Sequence, residues 1–152
     1  MTVVYIDTNV FIRAFESAAA ASSPLEELFG GLKARPRAAV TSELTLAELL
    51  APSKQKDAIQ LEEKRTLYGD LLIWSGWIDL YPVTRTVLIS TASLRQEFKC
   101  ALPDAIHVVT AISSGCRLFL TDDERLARLP VPLRRLKSDA AGTEAAMEAL
   151  RA

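Results

Sequence analysis

The stretch that most constrains this chain is Val3-Val4-Tyr5-Ile6-Asp7-Thr8-Asn9-Val10-Phe11-Ile12. An apolar, β-branched run suited to a buried strand stops at a carboxylate and two small polar residues, after which the apolar spacing turns helical. A strand therefore ends at Asp7. In an open parallel sheet the carboxyl ends of the strands form the ligand crevice, so an acid there faces a site and not the core. Taken alone, Asp7-Thr8-Asn9 serves equally well as a turn and helix cap, with Thr8 as the expected cap. Its meaning depends on which other acids arrive beside it.

A 152-residue chain that is 49% hydrophobic can build one substantial core and is short for two domains. Its net charge of −1 excludes binding of nucleic acid by bulk phosphate neutralisation, so a metal ion or a local basic rim would have to do the attracting. Cys100 and Cys116 form no CxxC pair and fit small buried apolar groups in a reducing cytosol. Asp7 interrupts the first apolar run and no Lys or Arg precedes it, which argues against a signal peptide. No apolar run approaches the roughly 20 residues that span a bilayer. A cytoplasmic location and no membrane partner are expected.

Val10, Phe11, Ala14 and Phe15 predict a first helix that ends within 18–23. Pro24 opens a second helix carrying Leu25, Leu28, Phe29 and Leu32, frayed by Gly30-Gly31. Residues 38–41 read as a short buried strand. Ser42 then caps a helix over 43–50, with Leu44, Ala47 and Leu50 on one side and Glu48 looking toward the same face. After a break from Pro52, a long helix is expected over 57–73, with Glu62, Glu63, Lys64 and Arg65 as a solvated charge run. Trp74 and Trp77 flank its end as packing anchors, a stacking platform for bases being the alternative.

Residues 78–83 alternate as a strand that Pro82 restricts to an edge or a strand end, and Thr84 caps the helix that follows. Pro103 and Asp104 belong in the first turn of a largely buried helix running to Ile112. Residues 117–121 form a strand that again runs into acids, Asp122, Asp123 and Glu124. A short helix, the Pro130-Val131-Pro132 loop and a last strand over 133–136 follow. This order predicts an α/β protein, a sandwich of helices about a central, mainly parallel sheet, in a single domain over 1–137. Residues 138–152 are a C-terminal helix, docked on a partner, or a frayed tail.

Asp7, Asp104 and Asp122 or Asp123 thus share an architectural address, and Glu48 joins them from a helix that follows a strand. Each alone is explained as a cap or first-turn acid. Together they repel: two unit charges about 4 Å apart cost roughly 4 kcal/mol at an effective dielectric near 20. A fold converges them only with protons or a cation in compensation. Oxygen ligands without histidine or thiolate pairs select a hard ion, Mg²⁺ or Mn²⁺. Such an ion activates water and stabilises charge on a phosphate undergoing in-line displacement, which points to phosphodiester hydrolysis.

Ile6-Asp7-Thr8-Asn9-Val10, the helix over 42–49 with Glu48, Leu102-Pro103-Asp104-Ala105-Ile106-His107 and Leu120-Thr121-Asp122-Asp123 together resemble the PIN domain, most closely the VapC-type toxins of bacterial toxin and antitoxin pairs. The resemblance implies a metal-dependent endoribonuclease leaving a 5′-phosphate and a 3′-hydroxyl. It also implies a homodimer restrained by a small VapB-like antitoxin that covers the acidic groove. Position by position, Asp7, Glu48 and Asp104 match the family's first three acids, and a Thr-x-Asp pattern selects Asp123 over Asp122 as the fourth. These four acids are the expected catalytic and metal-binding set. Thr8, Asn9, Thr121 and Asp122 are the expected supporting residues. His107 fits a core histidine with a satisfied hydrogen bond better than a general base. Arg13, Arg95 and Arg125 could line an RNA path or be ordinary surface residues. Two alternatives remain at this stage: a housekeeping RNA-processing PIN nuclease, and a catalytically silent PIN-like interaction module.

Overall fold

The computed structural model of the chain describes residues 3–16, 24–52 and 59–152. Five short strands, β1 (Val4–Ile6), β2 (Ala39–Ser42), β3 (Ile78–Tyr81), β4 (Leu118–Leu120) and β5 (Arg134–Leu136), form one sheet in the order β3-β2-β1-β4-β5. Every neighbouring pair is parallel. The predicted edge strand is β3, where Pro82 follows the last paired residue and removes no ladder hydrogen bond.

Period-two alternation assigns the two faces. Val4, Ile6, Ala39, Leu118 and Leu120 point into a core with α1 (Thr8–Glu16), α2 (Pro24–Lys33), α3 (Leu44–Leu49) and α4 (Leu61–Gly69). Tyr5, Val40 and Phe119 point the other way, onto α5 (Arg85–Glu97) and α6 (Leu102–Ser113). The Tyr5 and Phe119 rings stack at 4.9 Å across the paired strands β1 and β4. Both faces are covered, as a parallel sheet requires. From β1 the chain winds outward through β2 to β3, then returns to the other side of β1 for β4 and β5. The reversal falls between β1 and β4, and a crevice opens there beyond the carboxyl ends of the strands.

Several expectations meet a different local structure. Asp7, not Thr8, caps α1: its carbonyl accepts from the Val10 amide and its carboxylate from the Thr8 amide, with Thr8 already the first helical residue. The inward residues of α3 are Thr45 and Leu49, with Ala47 exposed, because the Thr45 hydroxyl bonds Thr41 on β2 at 2.8 Å and sets the helix rotation. Lys64 is not solvated. It is 5% exposed, with Nζ 3.6 Å from Glu16 at the end of α1, and Tyr68 donates to the same Glu16 carboxylate. The long helix begins at Leu61 among the described residues and closes in a π-helical turn over Asp70–Trp74. The predicted end of the first helix at 18–23 and the helix start at 57 lie outside the described residues.

Trp77 is a packing anchor, 5.5 Å from Phe29, whereas Trp74 is 79% exposed. Cys116 is buried and Cys100 half-buried, both as free thiols. The last helix, α7 (Ala140–Arg151), packs onto α2 of the same chain. Gly31 accommodates it: a Cβ there would stand 2.7 Å from Met147 Sδ, so the helix continues through Gly30-Gly31 to Lys33 and the glycine serves a close approach.

Candidate active site

The site is built where the ends of β1 and β4 lie side by side. Asp7 follows β1 and is 6% exposed. Its Oδ2 accepts from the Thr121 hydroxyl at 2.7 Å and from Asn9 Nδ2 at 3.1 Å, and its Oδ1 accepts from the Thr8 amide at 2.9 Å. Asn9 also takes the Asp122 amide on its own oxygen at 3.2 Å, so one side chain laces the two strand ends together. The Thr121 hydroxyl accepts from the Asp123 amide at 3.1 Å while it donates to Asp7. Thr8, Asn9 and Thr121 therefore hold one carboxylate in one orientation.

Asp122 and Asp123 leave the same strand end and diverge. Asp122 accepts from the Ser138 amide at 2.8 Å and from the Ser138 hydroxyl, which ties it to the entry of α7, and Arg13 stands 3.5 Å away. Asp123 caps the following 3₁₀ turn (Glu124–Arg128) through the Arg125 amide and pairs with the Arg125 guanidinium through both oxygens, at 3.1 and 2.7 Å. The same guanidinium stands 3.8 Å from Asp104 in the first turn of α6. Asp123 thus lies on the Asp104 side of the crevice and Asp122 on the side of α1 and α7.

The electrostatics follow the geometry. Burial pushes the Asp104 carboxyl above its ordinary range, and the neighbouring Asp123 and Asp7 carboxylates push it further while Arg125 opposes them. Burial also raises Asp7, with Glu48 adding to the shift and His107, Thr121 and the Thr8 amide opposing it. Against partial burial, hydrogen bonds from His107 and Thr8 hold the Glu48 carboxyl below its ordinary range. The Arg125 hydrogen bonds lower Asp123. Asp123 and Asp7 both act on Asp104, and Glu48 acts on Asp7 from another wall of the site.

Glu48 is fixed on that wall. Its Oε1 accepts from the Thr8 hydroxyl at 2.8 Å and lies 2.5 Å from His107 Nε2, while His107 Nδ1 lies 2.6 Å from the Tyr5 hydroxyl. His107 is a buried, hydrogen-bonded histidine as expected, 1% exposed. Its partner is a site acid, which spacing could not reveal, since 59 positions separate the two residues. Of the three arginines that could line an RNA path or be ordinary surface residues, Arg95 and Arg125 border a cleft of about 490 Å³ with Lys99 and Asp104, and Arg13 lies on the far side beside Asp122.

Among the described residues, no three His, Cys, Asp or Glu side chains stand close enough together to enclose a metal ion. Asp104 borders the cleft with Arg95 and Arg125, Asp7 is buried, and Glu48 and Asp123 are half-buried. The chemistry of these acids fits a hard divalent cation, because the donors are carboxylate oxygens, and Asp7 and Asp104 are raised first by burial and then by neighbouring carboxylates, a cost that a bound cation would offset.

With this geometry in hand, the PIN domain pattern matches residues 4–132, from β1 to the loop before β5. The chain belongs to the PIN domain family. Solved structures place the same fold beside it. A toxin-antitoxin complex from Klebsiella pneumoniae aligns with a TM-score of 0.57 at 23% identity, covering 86% of this chain and 98% of that one. DNA-bound VapBC from Salmonella typhimurium aligns at 0.66 and 18% identity, covering 91% and 99%. VapBC2 from Rickettsia felis, bound to a DNA fragment from its promoter, aligns at 0.64 and 18% identity, covering 90% and 98%. Comparison with curated protein sequences gives no match. This PIN domain is a five-stranded parallel α/β sandwich, as the order of its elements predicted. Among its described residues no helix is long and apolar enough to cross a membrane.

Proposed function

We propose that this PIN domain is a divalent-metal-dependent endoribonuclease of the cytoplasm and the toxin of a toxin–antitoxin pair. The observation that carries the reading is that the Asp123 and Asp7 carboxylates both act on Asp104 at the crevice between β1 and β4. Acids arranged so that each opposes the ionisation of its neighbours are costly to a fold, and a bound cation removes that cost. Asp7, Asp104 and Asp123, with Glu48 directly or through water, would hold Mg²⁺ or Mn²⁺. The ion supplies charge stabilisation at the phosphate and an acidified water. Thr8, Asn9 and Thr121 keep Asp7 from rotating away, and Asp122 braces the strand end through Ser138.

The cleft bordered by Arg95, Lys99 and Arg125 beside Asp104 supports an RNA path, since cations there attract phosphates that a net charge of −1 does not. The toxin-antitoxin and VapBC assemblies with the same fold support a VapB-like antitoxin as partner, and the homodimer expected of the active form rests on the family resemblance.

The test is cleavage of single-stranded RNA with Mn²⁺ or Mg²⁺ by wild type and Asp7→Asn. Wild type should cut, EDTA should stop it, and the variant should be slower by about a hundredfold or more. Equal cutting by both proteins would expose a contaminating nuclease, and no cutting by wild type would sink the enzyme reading. Induction of the chain alone should arrest growth, with rescue by a small DNA-binding protein encoded beside it; normal growth would remove the toxin assignment.

A further inference from the structure

We propose that His107 is the positioning residue of the acidic site, setting the Glu48 carboxylate for the cation through a buried Tyr5-His107-Glu48 chain. This inference rests on the nuclease reading above and adds a role to a residue which that reading does not use. The ring is locked at both nitrogens, by Tyr5 at 2.6 Å on Nδ1 and Glu48 at 2.5 Å on Nε2. As a carboxylate, Glu48 can only accept from Nε2, so in the neutral ring Nδ1 is bare and takes the phenol hydrogen of Tyr5. Nδ1 then accepts, and Nε2 carries the hydrogen donated to Glu48. A carboxylate has no hydrogen to give, which makes this the one consistent direction for the chain.

The hydroxyls around the site run in the same sense. Thr41 donates to the Ile6 carbonyl at 2.8 Å, leaving its oxygen to accept from Thr45 at 2.8 Å. Thr8 donates to Glu48 Oε1 at 2.8 Å, a shorter contact than the 3.2 Å to its other acceptor, the Thr45 hydroxyl. Both hydrogen bonds described for Glu48 thus land on Oε1. Oε2 keeps its lone pairs for a ligand, on a side chain that is 33% exposed. The back of the chain cannot shift, because Tyr5 lies in the central strand, fully buried and stacked on Phe119. A ligand acid held from behind by a donor on a rigid element has its orientation settled before the metal arrives.

The experiment uses the chain's single histidine, whose ring nitrogens give an isolated signal after ¹⁵N-histidine labelling. In metal-free protein the shifts should report a hydrogen on Nε2 and a bare Nδ1; a hydrogen on Nδ1 with a bare Nε2 would overturn the proposal. Calorimetric titration with Mn²⁺ should then show His107→Leu binding about tenfold more weakly or worse. His107→Gln, whose amide reproduces the Nε2 donor, should recover most of the loss. In RNA cleavage the Leu variant should lose kcat with little change in KM.

A folded Leu variant with wild-type Mn²⁺ affinity and kcat would end the proposal while leaving the nuclease reading intact. Equal impairment of Leu and Gln would also end it, since packing and not the donor would then be at stake. Wild type that neither binds Mn²⁺ nor cuts RNA would take down the nuclease reading and this inference together. If His107→Leu does not fold, Tyr5→Phe decides: weaker Mn²⁺ binding with an altered histidine spectrum supports the chain, and no change in either overturns it.

Discussion

Asp104 shows at the scale of one residue what the site costs the fold. Its carboxyl is raised by burial and by Asp123 and Asp7, so in the folded state it holds its proton to higher pH than in the unfolded chain. Such a group contributes stability that is complete below the unfolded pKa and lost as pH rises through the folded one. In metal-free protein, Asp104→Asn should therefore melt above wild type at neutral pH. The gap should narrow as pH falls toward about 4, the ordinary carboxylate range. A variant less stable than wild type at neutral pH would contradict this. Whereas Glu48 lies within α3, three of the four acid positions were legible because they stand where an apolar run ends, at Asp7 and at Asp122-Asp123, or in a proline-led first turn, at Asp104. The role argued for His107 was not, because its partners Tyr5 and Glu48 lie 102 and 59 positions away, and nothing local marks a side chain defined by distant contacts.

Helix α4 carries the corresponding lesson for elements. Glu62 to Arg65 look like a solvated run, yet Lys64 turns inward to Glu16, where Tyr68 also donates. Ion pair and hydrogen bond together fasten the end of α1 to α4. Truncating one member of a buried pair leaves the other charge without compensation, so Lys64→Ala should cost about 3 kcal/mol or more in urea unfolding. Lys64→Met combined with Glu16→Gln should cost less than the two single changes added together. Additive losses would mean that the two side chains do not interact. The succession of strands and helices along the chain, the Thr84 cap on α5 (3.1 Å to the Val87 amide) and the apolar stripe of α2 could all be read locally. The rotation of α3 and the docking of α7 could not, since Thr45 answers to Thr41 and Met147 to Gly31.

For the molecule as a whole, the decisive expectation is linkage between metal and stability. A cation that binds only the folded state stabilises it by about 2.7 kcal/mol at a hundredfold excess over Kd. Millimolar Mn²⁺ should raise Tm by about 5–10 °C, and Asp104→Asn should lose most of that rise. An unchanged wild-type melting curve would argue against a formed site. The fold itself was open to sequence reasoning because parallel sheets leave a plain trace, apolar strands alternating with helices. The spatial neighbours within the sheet left none. Strand β4 lies against β1, although more than a hundred residues of chain separate them. Asp7 and Glu48 accordingly leave the ribosome long before the strand that brings Asp123 beside them. A nascent chain, or one cut short upstream of β4, carries Asp7, Glu48 and Asp104 but neither Asp123 nor the strand end on which they converge.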